Sequence, residues 1–221
     1  MDALTHAIEA YIGNSTTKKT REYALKATKL IFENIYKVYE NGNDLEARSN
    51  MLDAAYYAGH AFTVSYVGYV HAIAHSLGGR YGIPHGLANA LLLTYVIEFN
   101  ATDKPTKQGL FPQYKYPFVK GRYAKIVDFL LPHNNLGDDK DAKVEKLIEM
   151  ITDLKNRLDI PKSLKEYGIP EKEFLDNLDK LSELAFDDQC TGGNARYPLI
   201  SEIKDLYLKA YYGEPVKHKA D

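Results

Sequence analysis

Apolar residues return at every third or fourth position along almost the whole chain, and alternating apolar and polar runs bounded by turns are hard to find. That period predicts helices nearly throughout. A first helix over DALTHAIEAYI stops at Gly13-Asn14, and Ser15 to Thr17 offer hydroxyls able to cap a second, KKTREYALKATKLIFENIYKVYE. On the second, Tyr23, Ala27, Leu30, Ile31, Asn34 and Val38 share one face. NGND at 41–44 ends it, and Asp44 can cap a third helix, Leu45 to about Val64, with Met51, Ala55, Ala58, Gly59 and Phe62 directed inward. A helix over about Val70 to Leu77 carries two histidines. After GGRYGIPHG comes LANALLLTYVIEFN, apolar nearly all round and so expected at the buried centre.

Helical period then lapses over residues 101–118, where Pro105, Pro112 and Pro117 each remove a backbone donor, and a long loop is expected. Helices resume over about Val119 to Leu130, Ala142 to Leu158 and Glu171 to Ala185. A glycine-containing loop, FDDQCTGGNARYPL, and a closing helix, ISEIKDLYLKAYY, complete the pattern. With no internal repeat, low-complexity tract or linker to divide it, the expectation is one all-α domain over 1–221.

Composition narrows the partners. A net charge of -2 offers no basic excess to neutralise phosphates, which argues against nucleic acid and membrane surfaces and for small molecules or other proteins. A single cysteine, Cys190, excludes an internal disulfide, and no apolar run approaches the ~20 residues of a membrane span. The opening MDALTHAIEAY lacks the basic flank and apolar stretch of a signal peptide, so a cytoplasmic location is expected.

The candidate chemistry lies in the histidines. Asp2 and His6 are four apart on one helix, as are His71 and His75 on another, so each pair can face one object. A carboxylate with imidazoles suits a first-row divalent cation such as Fe(II) or Zn(II). His85, between Pro84 and Gly86, sits where it can turn back toward the helix of His71. Each pair also has a plainer reading, as a helix-start carboxylate or as packing histidines with hydrogen-bond partners. The apolar setting of His71 and His75, among Val70, Ala72, Ile73, Ala74 and Leu77, is what favours a ligand. His60, His133 and His218 lack such a setting and receive no role. A ferritin-like di-metal bundle would need Glu-x-x-His, a helical phosphohydrolase a His-Asp doublet and a zinc protease His-Glu-x-x-His; none occurs. One aspartate with two or three histidines survives, and spacing does not say which of His71 and His75 would bind.

MDALTHAIEAY, HAIAHSLGGRYGIPHGLANALLL and FDDQCTGGNARYPLISEIK together resemble the C-terminal half of iron-containing (group III) alcohol dehydrogenases, from residue 1 to about Gly213. PTKQGLFPQY and FDDQC resemble in particular the alcohol dehydrogenase part of bifunctional aldehyde/alcohol dehydrogenases. The resemblance implies a dehydroquinate synthase-like helical bundle with Asp2, His6, His71 and His85 as metal ligands. It places His75 beside the nicotinamide, as a catalytic and cofactor-binding residue, with Phe62 near the substrate and Cys190 lining the same cleft. Two departures stand out: Asn194-Ala195-Arg196 replaces the family's Asn-Pro-Arg, which implies a less rigid loop, and no strand–helix alternation supplies the N-terminal nucleotide-binding α/β domain. GGRYG at 78–82 follows a helix and reads as a helix-ending turn, not a phosphate loop.

What the resemblance implies is the metal-binding, substrate-side domain of an NAD(P)-dependent alcohol dehydrogenase. Such an enzyme interconverts a primary alcohol and an aldehyde using Fe2+, with Zn2+ as the other candidate and NAD or NADP held by the missing half. Turnover by this chain alone is expected to be slight, and a homo-oligomer or association with a nucleotide-binding half is expected. The alternative is a non-catalytic helical interaction or oligomerisation domain derived from such an enzyme, for which 18 tyrosines would suit a contact face. A metal hydrolase on the same fold would require a general-base carboxylate paired with the motif, and none is evident.

Overall fold

The computed structural model describes residues 1–104, the backbone of 106–107 and 114–115, and residues 118–216. Ten α-helices make up almost all of it. The first five are α1 (Asp2–Ile12), α2 (Lys18–Glu40), α3 (Leu45–Ser65), α4 (Tyr69–Tyr81) and α5 (His85–Asn100). After a two-residue antiparallel ladder, β1 (Thr106–Lys107) against β2 (Tyr114–Lys115), follow α6 (Val119–Leu130), α7 (Lys140–Arg157), the one-turn α8 (Leu164–Tyr167), α9 (Glu171–Asp187) and α10 (Ile200–Tyr212). The ladder falls in the segment expected as loop, and Pro105, Pro112 and Pro117 lie outside the described residues.

Local chemistry explains the ends. Thr17 caps α2 in a reciprocal box with Thr20, and the carboxylates of Asp44 and Asp139 accept the Ala47 and Ala142 amides at the starts of α3 and α7. The GGRYG stretch differs from expectation. α4 continues through Gly78, Gly79, Arg80 and Tyr81 and stops only at Gly82 (φ 66°). Helical glycine costs about 1 kcal/mol, less than the burial that anchors this helix against α5 and α9 returns.

α5 is buried along Ala88–Ile97, as its all-round apolar sequence requires, and α1, α4, α7 and α10 pack around it. Tyr207 of α10, fully buried, directs its hydroxyl at Ser76 and at the carbonyls of Ile73 and Leu181, tying α4 and α9 to α10. On α3 the inward face is Ala47, Ala54, Ala58, Ala61 and Ser65, which shares only Ala58 with the face expected: Met51, Gly59 and Phe62 are half-buried and Ala55 is exposed. Small residues let α3 lie close to α2 and α1, and its bulky Leu45, Leu52 and Tyr56 point outward, 79%, 73% and 63% exposed. No described helix is long and apolar enough to cross a membrane.

The 190s loop is held by its flanks. Asn194, buried, exchanges hydrogen bonds with Asn100 and accepts the Tyr69 amide, while Arg196 lies over the Phe99 ring and donates to the Phe99 carbonyl. Ala195 between them is fully buried.

Candidate metal centre

Three helices deliver four side chains to one point. Asp2 and His6 share a face of α1, His71 comes from the first turn of α4, and His85 opens α5 directly after Pro84. Each offers one ligand atom, and those atoms all lie within 4.8 Å of one another. Asp2 Oδ1 is 3.8 Å from His71 Nε2 and 3.4 Å from His85 Nε2, and Asp2 Oδ2 is 3.8 Å from His6 Nδ1. Tetrahedral ligands at 2.0–2.1 Å from a cation stand about 3.4 Å apart, so the cluster is near that spacing as it stands. Gly86 permits the approach: a Cβ there would sit 3.2 Å from the Asp2 Cβ.

The surroundings set the charge. Burial and the neighbouring His71 push His6 down to about 4, and burial lowers His85. Burial opposes a charge on His71 as well, yet the carboxylates of Asp2, 3.8 Å from Nε2, and Glu9, hydrogen-bonded at Nδ1, outweigh it and raise the ring to about 9. The same pairing with His71 holds Asp2 well below the ordinary carboxylate range. The cluster therefore favours one positive charge beside two carboxylates and keeps two neutral imidazoles with lone pairs. A divalent cation answers that demand better than a proton, because it also uses the lone pairs. Asn89, fully buried, donates its amide to Asp2 Oδ1 at 2.7 Å and lies 3.2 Å from Nε2 of both His71 and His85. Its Oδ1 is buried without a partner among the described residues, an unmet acceptor at the edge of the cluster. Donor types, spacing and charge all fit Fe(II) or Zn(II).

His75 faces the other way. Its ring stacks on His85 at 5.5 Å, and its Nδ1 meets Asp188 Oδ2 at 2.9 Å. Asp188 also accepts the Cys190 amide at 2.8 Å, and one ligand atom each of His75, Asp188 and Cys190 lies within 4.8 Å of the others. Burial raises the Cys190 thiol, which is therefore no ready nucleophile. A cavity of about 460 Å³ between α4 and α9 opens onto His75, Arg80, Leu184 and Asp188. Phe62 stacks on His6 at 4.3 Å, on the opposite side of the histidines. His60 packs edge-on to Tyr56, His133 is exposed on a loop, and His218 lies outside the described residues.

Glu9, Asn89 and Asp188 belong to this region and were not singled out from sequence. Glu9 carried a signal, a lone charge in the apolar run Ile8 to Ile12 one turn beyond His6, and Asn89 stands four residues after His85.

A profile described as "Fe-containing alcohol dehydrogenase family, C-terminal" matches residues 1–211. The bifunctional aldehyde-alcohol dehydrogenase of Escherichia coli is 49% identical over 214 residues, 96% of this chain and 24% of that protein. The NADPH-dependent butanol dehydrogenase of Clostridium saccharobutylicum is 40% identical over 216 residues, 98% of this chain and 50% of that protein. Among solved structures, a 1,3-propanediol oxidoreductase superposes with a TM-score of 0.81 at 33% identity, over 96% of this chain and 50% of that one. This chain thus spans between a quarter and a half of the relatives it matches. With sequence, fold and the family profile in agreement over nearly its whole length, the chain belongs to the iron-containing alcohol dehydrogenase family, as its C-terminal helical domain.

Proposed function

We propose that the chain is the metal-holding, substrate-side part of an NAD(P)-dependent alcohol dehydrogenase that interconverts a primary alcohol and an aldehyde. Asp2, His6, His71 and His85 hold Fe2+ or, in its place, Zn2+. The observation that carries this reading is the convergence of those four donors from three helices. When bound, the cation supplies Lewis acidity toward the alcohol oxygen, lowering its pKa for hydride release. Phe62, stacked on His6, borders the space where the alkyl chain lies, whereas Cys190 sits with His75 and Asp188 on the other side of the histidines and is given no contact with that chain. His75, oriented by Asp188 and open to the cavity, adjoins the nicotinamide and relays the proton outward. The relatives' names supply the class of reaction, alcohol with nicotinamide. The dinucleotide is bound by a nucleotide-binding half, since GGRYG is helix and helix end here.

Elemental analysis after exposure to Fe(II) or Zn(II), together with nicotinamide reduction by a primary alcohol, tests the proposal. One tightly held cation per chain is expected, with little turnover by this chain alone. Protein that stays metal-free under those conditions refutes it. Gly86→Ala should weaken cation binding with the helical content unchanged, since the added methyl must push Asp2 away; competition against a chromophoric chelator reads the loss.

The second reading, an interaction domain that no longer needs its cation, draws on the outward stripe of Leu45, Leu52 and Tyr56. His71→Ala separates the two. A metal centre loses its ion, whereas an assembly module keeps its oligomeric state by light scattering and loses nothing.

A further inference from the structure

We infer that Glu9 is the positioning residue that selects the tautomer of His71 and so makes its Nε2 available to a cation. The inference rests on the reading of His71 as a ligand and extends it to a residue one layer behind.

Glu9 is 3% exposed, yet its carboxylate is fully engaged. Oε2 lies 2.6 Å from His71 Nδ1 and accepts the Gly68 amide at 3.0 Å, while Oε1 accepts the Val70 amide at 2.7 Å. A carboxylate only accepts, so Nδ1 must carry the proton. In the neutral ring the lone pair then falls on Nε2, the nitrogen directed at Asp2, His85 and Asn89. The two backbone contacts make this more than a chance pairing. α4 has no side-chain cap of its own at Gly68, and Glu9, from α1, meets its free amides instead. Gly68 leaves the room: a Cβ there would stand 3.2 Å from Glu9 Oε1 and 2.8 Å from Asn194 Oδ1. One carboxylate thus fixes where α4 begins and which nitrogen of its first histidine is bare.

Glu9→Gln is the discriminating variant because it keeps the shape and changes the accounting of donors. Glutamine has one acceptor oxygen and one NH2, and two backbone amides already compete for the oxygen. The NH2 is left facing Nδ1, which must become the acceptor, and the ring proton moves to Nε2. Zn2+ affinity is expected to fall by roughly 10- to 100-fold, and the His71 ring 15N shifts, recorded above pH 9 where the ring is neutral, should report the Nε2–H tautomer in the metal-free variant and the Nδ1–H tautomer in the wild type. Glu9→Asp, which retains the charge, should recover part of the affinity. A merely structural Glu9 would alter stability without moving the tautomer. Wild-type affinity in Glu9→Gln, or an unchanged Nδ1–H ring, overturns the inference. Should that variant not fold, the zinc-loaded wild type decides: Nδ1 bonded to the metal instead of protonated overturns it equally. Wild-type protein that takes up no cation refutes the metal reading itself, a result distinct from either.

Discussion

Zinc added to metal-stripped protein is expected to raise its melting temperature by roughly 5 to 15 °C. A ligand that binds only the folded chain contributes about 2.7 kcal/mol at a free concentration of 100 Kd and about 4.1 at 1,000 Kd, and each kcal/mol is worth about 2 to 4 °C at this chain length. The stabilisation has a structural route. The four donors sit within the first two turns of α1 and the first turns of α4 and α5, so a cation ties together three helix starts that otherwise meet through Asn89 and Glu9. Asp2→Asn should abolish most of the rise. It keeps the side chain's shape and its contact to Asn89, and removes the charge that a cation requires. Mg2+ should do little, because three of the four donors are imidazoles and a small hard cation prefers oxygen. Thermal unfolding with chelator, with Zn2+ and with Mg2+ reads all of this. A rise that survives Asp2→Asn, or that Mg2+ matches, is incompatible with the proposed centre.

The Asp2–His6 pair was visible in the sequence because it obeys helix spacing, whereas His71 and His75, with the same spacing, go to different groups; Thr17 and Asp44 were visible as caps because capping is local. The residues that orient the cluster were not. The worth of Glu9 depends on α4 starting beside it, 59 and 61 positions further along at Gly68 and Val70, and no periodicity encodes that meeting. Asp188 finds His75 across 113 positions. Choosing between His71 and His75 as the ligand needed the family resemblance; the structure groups His71, buried with its Nδ1 on Glu9, with Asp2, His6 and His85, and sets His75 apart, exposed with its Nδ1 on Asp188. On α3 the inward face was rotated from the one expected: Ala58 is common to both, Met51 and Phe62 only flank the core, and Ala55 is exposed. Close packing of α3 on α2 and α1 selects the stripe of smallest side chains, and the alanines at 54, 58 and 61 face in. The extension of α4 through Gly78 and Gly79 has the same origin, tertiary contact overriding local preference.

Lys155→Met is expected to stabilise the protein by about 3 kcal/mol at pH 7. Burial alone lowers Lys155 from 10.5 to about 8. The other buried lysines of this region are answered by acids: Lys120 meets Asp103 and Asp141, and Lys143 lies 2.7 Å from Asp128, whereas Lys155 has no ion-pair partner among the described residues. The sign follows from proton counts. The folded chain gives up this proton near pH 8 and the unfolded chain holds it to 10.5, so across that interval the unfolded state binds more protons and stability rises with pH. Below pH 8 both states are charged and the full desolvation cost remains; at about 1.4 kcal/mol per pH unit it reaches the figure above. Methionine removes the charge and fills a similar volume. The gap between variant and wild type in urea unfolding should therefore be widest at pH 7 and close as pH climbs from 8 toward 10, a comparison in which the titration of the buried tyrosines cancels. A gap that stays constant with pH would mean that Lys155 is solvated in the folded chain. α7 contributes no side chain to the cluster, so zinc affinity should be the same in both proteins, and the stabilised variant then gives a firmer background for the Asp2, Glu9 and His71 substitutions.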